Sequence, residues 1–307
     1  MADVIVIGGG TAGLTAAIYL QRSALQCIVL EAEEFGGRIF PTLEIENYPA
    51  MPSVSGSEYC NKLRAQAEAL GAELTAQTAL SLTRSADLWQ VSTRDSTYLA
   101  RAVIFAAGEK RRSLGVPGEE EFLGRGVAVC AACDGAFFRN KEVAIIGGGD
   151  KALDDALTLS RLCSQVHLIH RRDEFRAAGG VVAQVKEKPN IMLHLNRTVV
   201  RIDGARRVES VTLRSTKDGN EETLLVSGVF VAVGSDPQTK LCAEFVQLDR
   251  QGYVIAGEDC ITPESGLFVA GDARLKPLRQ LVTAAADGAV AAKAAADYIT
   301  NSRLHHE

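Results

Sequence analysis

The chain has 307 residues, 47% of them hydrophobic and 23% charged, which is ordinary globular usage and excludes disordered and collagen-like chains. At roughly 150 residues per domain the length suggests two domains. Lys and Arg number 33 against 38 Asp and Glu, a net charge of −5, so the chain lacks the positive field that non-specific nucleic-acid binding needs.

Residues 3–7, Asp-Val-Ile-Val-Ile, are β-branched and apolar, as a buried parallel strand should be. With Asp3 in place of a basic leader, this start does not read as a secretory signal. Gly8-Gly9-Gly10-Thr11-Ala12-Gly13 follows, then a helical stretch to about Gln21. A second apolar strand over 27–31 ends in Glu31. Short apolar runs follow at 86–93 and 102–108, and Gly115-Val116-Pro117-Gly118 breaks the chain before Glu119, Glu120 and Glu121. The first pattern then returns. An apolar strand over 142–146 leads into Gly147-Gly148-Gly149-Asp150-Lys151-Ala152, a helix to about Leu162 and a strand over 166–170. A second break falls at Gly234-Ser235-Asp236-Pro237. Near the C-terminus a short strand ends in Gly271-Asp272, and Arg279-Gln280-Leu281 opens a long alanine-rich helix. No apolar run reaches the ~18 residues of a membrane span, and Asp287, Lys293 and Asp297 interrupt the most apolar late stretch.

Two strand–glycines–helix–strand units in one chain mean two nucleotide-binding modules. The expected fold class is α/β, with two Rossmann-like domains, one inserted in the other. The expected segments are 1–115 and 243–307 for the outer domain and 116–242 for the inserted one.

The first motif is Gly8-x-Gly10-x-x-Gly13. Its glycines permit the tight turn, the approach of a pyrophosphate and the packing of helix on strand. The helix N-terminus offers free N–H groups to phosphate. Glu31 stands about 20 residues further on, where an acid hydrogen-bonds a ribose hydroxyl. In the second motif, Gly147-x-Gly149-x-x-Ala152, the acid's place is taken by Arg171, within His170-Arg171-Arg172, and Arg176 follows. A carboxylate would repel a 2′-phosphate, whereas guanidinium groups bind it with charge-assisted hydrogen bonds. The first module therefore reads as taking an adenosine with a free 2′-hydroxyl and the second as taking NADP.

Cys130-Ala131-Ala132-Cys133-Asp134-Gly135 precedes the second module's first strand. Such a pair can close a disulfide, supply half a zinc site or stay as two free thiols. Structural zinc needs four ligands, and no second Cys-x-x-Cys exists, so no metal is expected. A redox pair suits closely held thiols with a neighbouring carboxyl to carry a proton. The chain's seven cysteines are an odd and mostly scattered set, which argues for a reducing, cytoplasmic compartment. Cys27, Cys60, Cys163, Cys242 and Cys260 read as isolated small residues, and His194, His305 and His306 belong to no recognisable group.

Over nearly its whole length the chain resembles the low-molecular-weight, flavin-containing thioredoxin reductases of bacteria and plants. The marks are the Gly8 motif, Gly36-Gly37-Arg38, Glu44-Ile45-Glu46-Asn47-Tyr48-Pro49, Gly115-Val116-Pro117-Gly118-Glu119, and the segment Cys130 to Gly135. To these add His170-Arg171-Arg172-Asp173-Glu174-Phe175-Arg176-Ala177, and Gly271-Asp272 with Arg279-Gln280-Leu281. The resemblance implies an NADPH-dependent thioredoxin-disulfide reductase that is a homodimer. It implies FAD in the first module, held by Gly8, Gly10, Ala12, Gly13, Glu31, Gly37, Arg38, Asn47, Gly108, Asp272, Arg279, Gln280 and Leu281. It implies NADPH in the second, held by Gly147, Gly149, Asp150, Lys151, Ala152, His170, Arg171, Arg172 and Arg176. It further implies that Cys133 faces the flavin, that Cys130 attacks the partner's disulfide, that Asp134 is the acid–base, and that the inserted domain rotates between turnover states. By the same resemblance, neither an N-terminal thioredoxin-like extension nor a C-terminal redox tail is expected.

Several positions depart from the family pattern. Arg38 stands for a usual Gln, Glu109 for a usual Ala, Lys151 for Ser or Thr, Asp154-Asp155 for Glu-Glu, and Gln238 for Asn. The alternative is a flavoprotein of the same fold with another electron donor, such as ferredoxin, or with a small dithiol substrate. Such relatives typically lose the glycine and arginine motifs that this chain keeps. A non-catalytic flavin sensor would need no hydride donor.

Overall fold

The computed structural model describes residues 1–85 and 87–304. Ala86, which opens the apolar run expected over 86–93, and the terminal His305 and His306 lie outside the described residues. The chain forms two compact units. One is Met1–Lys110 together with the chain from Asp236 onward; the other is Arg111–Ser235.

The first unit begins with β1 (Ala2–Ile7), α1 (Thr11–Arg22), β2 (Cys27–Leu30), α2 (Gly56–Ala69), β3 (Glu73–Thr75), β4 (Ser81–Ser85), β5 (Leu88–Ser92) and β6 (Thr97–Phe105). The order in the sheet is β3-β2-β1-β6-β5-β4. β1 lies parallel to both β2 and β6. Its Val4, Ile5 and Val6 are fully buried, which is why the strand is apolar on both faces rather than alternating. At Gly8 φ is +105°, and a Cβ there would stand 2.4 Å from the Ala106 carbonyl oxygen. Only glycine makes the turn from β1 into α1.

The chain crosses between units through β7 (Glu109–Arg111). The second unit contains β8 (Val127–Ala128), α3 (Ala131–Asp134), β9 (Glu142–Ile146), α4 (Asp150–Ser160), β10 (Gln165–His170), α5 (Gly179–Glu187) and β11 (Ile191–Leu195). It continues with β12 (Arg197–Gly204), β13 (Val208–Ser215), β14 (Glu221–Leu225) and β15 (Gly228–Val231). A parallel sheet runs β11-β10-β9-β15-β8, and β12-β13-β14 form a separate antiparallel sheet. The return strand β16 (Ser235–Pro237) pairs with β7.

The first crossing lies before the limit expected at residue 115; the second falls within the break at Gly234-Ser235-Asp236-Pro237 and before the limit expected at residue 242. Side-chain clasps explain the offset. Glu119, buried in the second unit, accepts from the N–H groups of Leu114 and Gly115 at 2.8 and 2.9 Å. Cys242 is buried in the core of the first unit with Trp89 and Val254, and Thr239 donates to the Gly252 carbonyl at 2.7 Å.

Back in the first unit, β17 (Leu267–Val269) joins the sheet parallel to β6, and α6 (Leu281–Leu304) ends the described chain. β6 divides one edge between two neighbours. Its Thr97–Ala100 half pairs with β5 and its Val103–Phe105 half with β17. α6 packs closely on α1, because Gly288 lets the helices meet: a Cβ there would stand 2.2 Å from the Ala12 carbonyl oxygen. No helix among the described residues is long and apolar enough to cross a membrane.

Candidate functional site

In the first unit two glycine turns lie side by side. Gly36 N–H donates to the Gly9 carbonyl at 2.8 Å, and Gly10 and Gly36 form an isolated bridge. Gly10 caps α1 without any side-chain hydrogen bond, so the first-turn N–H groups lack a side-chain acceptor. A Cβ on Gly13 would collide with the Gly8 carbonyl at 1.8 Å, whereas one on Gly10 would meet nothing nearer than 4.0 Å. Gly13 is thus fixed by packing and Gly10 by the space left over it. Ala12 is buried in the core. Glu31, at the end of β2, accepts from Gly9 N–H at 2.6 Å through Oε2 and from Glu33 N–H at 2.9 Å through Oε1. Gly37 and Gly108 adopt left-handed backbone, φ +63° and +65°, and the Gly108 carbonyl accepts from Gln238 N–H at 2.9 Å.

A polar cluster lies in the same unit. Arg38 is ion-paired with Glu109, whose side chain is only 7% exposed. Tyr253 Oη donates to Glu109 Oε2 at 2.6 Å, and Arg279 Nε stands 3.8 Å from that oxygen. The Arg279 guanidinium covers the Tyr253 ring at 3.8 Å. Burial raises the Asp272 carboxyl above the ordinary carboxylate range, opposed by the Lys276 ammonium. Asp272 Oδ1 and Arg279 Nε are buried with no hydrogen-bond partner. Asn47 Nδ2 donates to Gln280 Oε1 at 3.1 Å, and Leu281 packs against the small apolar cluster of Ile45, Val54, Tyr59 and Cys60. Arg38 and Glu109 were noted separately in the sequence as departures from a family pattern; that they pair is visible only in the fold.

The second unit repeats the arrangement. Gly149 caps α4 without a side-chain hydrogen bond, and a Cβ on it would meet nothing within 4 Å. A Cβ on Gly147 would stand 2.6 Å from that of Ala152, which is fully buried. The loop after β10 is tied to this turn: Arg176 N–H donates to the Gly148 carbonyl and Ala178 N–H to Asp150 Oδ1, both at 2.8 Å. Arg171, Arg172 and Arg176 are all exposed on that loop. His170 takes a different place. It is buried, its ring underlies Gly148 and stacks on Phe175, and its Nε2 lies 3.0 Å from the Glu174 carbonyl. Burial lowers its pKa, so it supports the turn as a neutral ring. Lys151 is exposed and ion-paired with Asp155 at 2.8 Å, its neighbour one helical turn on; Asp154 is exposed.

Cys130 and Cys133 form a disulfide, with Cα atoms 5.3 Å apart. Cys130 caps α3, its Sγ accepting from Cys133 N–H at 3.1 Å. Both cysteines and Asp134 are half-buried. Burial pushes the Asp134 carboxyl up to about 6. The other five cysteines are free and buried, and burial pushes the Cys27, Cys60 and Cys163 thiols up to about 11 and those of Cys242 and Cys260 to about 12. Inertness of those five follows, because the thiolate is the reactive form. No group of His, Cys, Asp and Glu among the described residues is arranged to hold a metal.

The family model for pyridine nucleotide-disulphide oxidoreductases matches residues 2–289. A thioredoxin reductase of Treponema pallidum is 41% identical over 298 residues, 97% of each chain. The chain belongs to the thioredoxin reductase family. A bifunctional thioredoxin reductase/thioredoxin of Mycobacterium leprae is 44% identical over 293 residues, which cover 94% of this chain and 64% of that protein. A solved thioredoxin reductase from Streptococcus pyogenes matches with a TM-score of 0.95 at 36% identity, covering 98% of this chain and 99% of that one.

Thioredoxin reductases are oxidoreductases that use FAD and NADPH, and this chain carries features that fit both groups. Each glycine turn leaves open space over the uncapped N-terminus of a helix, which suits a pyrophosphate. The two orphaned buried atoms of the first unit, Asp272 Oδ1 and Arg279 Nε, are what a polar ligand would satisfy, since buried polar groups in native proteins are nearly always paired.

Proposed function

We propose that the chain is an NADPH-dependent reductase of a thioredoxin-type disulfide, with FAD in the first unit and NADPH in the second. The observation that carries this reading is the formed Cys130–Cys133 disulfide beside Asp134, in the unit whose glycine turn is tied through Arg176 N–H to the loop that carries three exposed arginines. Fusion of a thioredoxin to the Mycobacterium leprae relative, as its name states, supports the choice of substrate.

The N-terminus of α1, through Gly8, Gly10, Ala12 and Gly13, takes the FAD pyrophosphate, and Glu31 takes a ribose hydroxyl. Gly37, Arg38, Asn47, Gly108, Asp272, Arg279, Gln280 and Leu281 line the rest. The N-terminus of α4, through Gly147, Gly149, Asp150, Lys151 and Ala152, takes the NADPH pyrophosphate. Arg171, Arg172 and Arg176 take the 2′-phosphate, and His170 props the turn.

Bound FAD supplies the transfer of an electron pair from NADPH to the disulfide. Cleavage of the Sγ–Sγ bond by that pair leaves two thiolates, the flavin-facing one at Cys133. Asp134 gives its proton to one of them. The Cys130 thiolate then attacks one sulfur of the partner's disulfide and expels the other as a thiolate. Cys133, its proton returned to Asp134, resolves the mixed disulfide, which restores the Cys130–Cys133 bond and releases the partner's second sulfur as a thiolate. The free, buried state of five cysteines beside one formed pair supports a reducing, cytoplasmic setting, and the family resemblance supports a homodimer.

Anaerobic titration of the FAD-loaded protein with NADPH tests the reading. Flavin absorbance should bleach on adding NADPH and recover on adding oxidised thioredoxin. Bleaching by reduced ferredoxin alone would contradict it.

A further inference from the structure

Glu109 has no role in the proposed chemistry, yet its buried carboxylate is engaged by three of the side chains around the proposed flavin contacts. Its buried carboxylate holds Arg38 in an ion pair, accepts from Tyr253 Oη at 2.6 Å and faces Arg279 Nε at 3.8 Å. The Arg279 guanidinium is stacked on Tyr253. One carboxylate therefore holds Arg38 directly and faces Arg279 both directly and through the Tyr253 phenol. The charges of Glu109, Arg38 and Arg279 also act on Asp272, Glu109 disfavouring its ionisation and the two arginines favouring it. The same neighbourhood holds the two orphaned atoms, Asp272 Oδ1 and Arg279 Nε. The cluster is saturated at Glu109 and unsatisfied at Arg279 and Asp272, as expected when the second pair of groups awaits a ligand. Arg38 has 42% of its side chain exposed against 7% for Glu109, so the pair has one buried and one open end.

We infer that Glu109 is a positioning and charge-compensating residue of the flavin site, and that Glu109 and Arg38 set the bound flavin's reduction potential in opposite directions. The inference rests on the reading that Arg38, Asp272 and Arg279 line FAD. Its physical basis is Coulombic. Glu109→Gln keeps the size and the hydrogen bond from Tyr253 but leaves Arg38 and Arg279 uncompensated, and uncompensated cations stabilise added electrons. Arg38→Gln leaves the carboxylate unbalanced and does the reverse.

The test is the midpoint potential of the FAD-loaded protein, measured at neutral pH against a redox dye for the natural chain, Glu109→Gln and Arg38→Gln. Glu109→Gln should raise the reduced-to-oxidised ratio about tenfold at fixed poise, ~30 mV for a two-electron couple, and Arg38→Gln should lower it by a similar factor. A pair that merely held the fold together would loosen FAD in both variants without moving the potential in opposite senses. Shifts of the same sign, or a shift of less than half that size in either variant, overturn the inference. Gly10→Val separates this failure from a failure of the site reading. Its Cβ would meet no protein atom nearer than 4.0 Å, and the branched side chain would fill the space assigned to the pyrophosphate. If Gly10→Val purifies without FAD and the potentials do not move, only the inference about Glu109 falls. If Gly10→Val keeps its full FAD content, FAD lies elsewhere and both fall.

Discussion

Asp287 and Arg274 are joined by two hydrogen bonds, Nε to Oδ2 at 3.2 Å and Nη2 to Oδ1 at 3.1 Å, with both side chains buried. Asp287 Oδ2 also accepts from Lys276 Nζ and from Gly271 N–H, each at 3.0 Å. One acid in the second turn of α6 thus fastens the turn that carries Asp272.

Removing that acid takes the buried counter-charge from two buried cations, leaving Arg274 with the exposed Glu258 and Lys276 with Asp272 Oδ1 at 3.9 Å. Asp287→Ala should destabilise the protein by about 3–5 kcal/mol, the usual cost of breaking a buried ion pair from one side. The loss is read by urea unfolding of the FAD-loaded protein. FAD retention should fall with it, because Gly271 and Asp272 lose their anchor. An unchanged unfolding midpoint with full FAD content would show the turn to be held by other means.

Much of this architecture was legible from residue order alone. Both βαβ units stood out because a parallel strand buried on both faces must be apolar throughout, and because Gly8 and Gly147 are forced by close contacts with Ala106 and Ala232. What periodicity could not carry was contact between distant positions. Asp287 read only as a charge interrupting an apolar stretch, whereas its partners lie on the turn between β17 and α6. Arg38 and Glu109 read as two unrelated departures. His170 stood among the NADPH contacts on the family resemblance alone, whereas at the end of a strand buried on both faces its ring lies beneath Gly148. The return crossing falls within the glycine- and proline-marked break at Gly234 to Pro237, whereas the limits expected at 115 and 242 lie beyond the crossings because Glu119 fastens Leu114 and Gly115 in the second unit and Cys242 packs in the first.

Arg171, Arg172 and Arg176 should make NADPH strongly preferred over NADH. Each charge-assisted hydrogen bond lost should cost about 1.5–3 kcal/mol. Arg171→Ala and Arg172→Ala should therefore each lower kcat/KM for NADPH about ten- to a hundredfold with little change for NADH. Equal kcat/KM values for the two nicotinamides in the natural protein would remove the reason for assigning these arginines to the 2′-phosphate.

Asp134 makes a pH-dependent prediction. Burial raises its carboxyl from 3.8 to about 6, so the fold favours the neutral acid. The burial penalty is absent below the unfolded value, grows as pH rises and is complete above about 6. Asp134→Asn should accordingly make the oxidised protein more stable above pH 6 and change nothing well below pH 4. The electron-transfer step that cleaves the disulfide, followed by stopped flow, should slow as pH rises through about 6. In Asp134→Asn it should be some 10²–10⁴-fold slower and lose that pH dependence. A variant with full activity and an unchanged pH profile would leave Asp134 as only a turn residue beside Gly135.

The measurement that bears most directly on the disulfide as the electron carrier is a pair of rates in Cys130→Ser and Cys133→Ser. Neither sulfur takes part in hydride transfer from NADPH, so both variants, loaded with FAD, should still bleach their flavin with NADPH at close to the natural rate. Both should fail to reduce thioredoxin. Reduction of thioredoxin at near-natural rate by either variant would contradict the account, since electrons would then reach the substrate without Cys130 and Cys133.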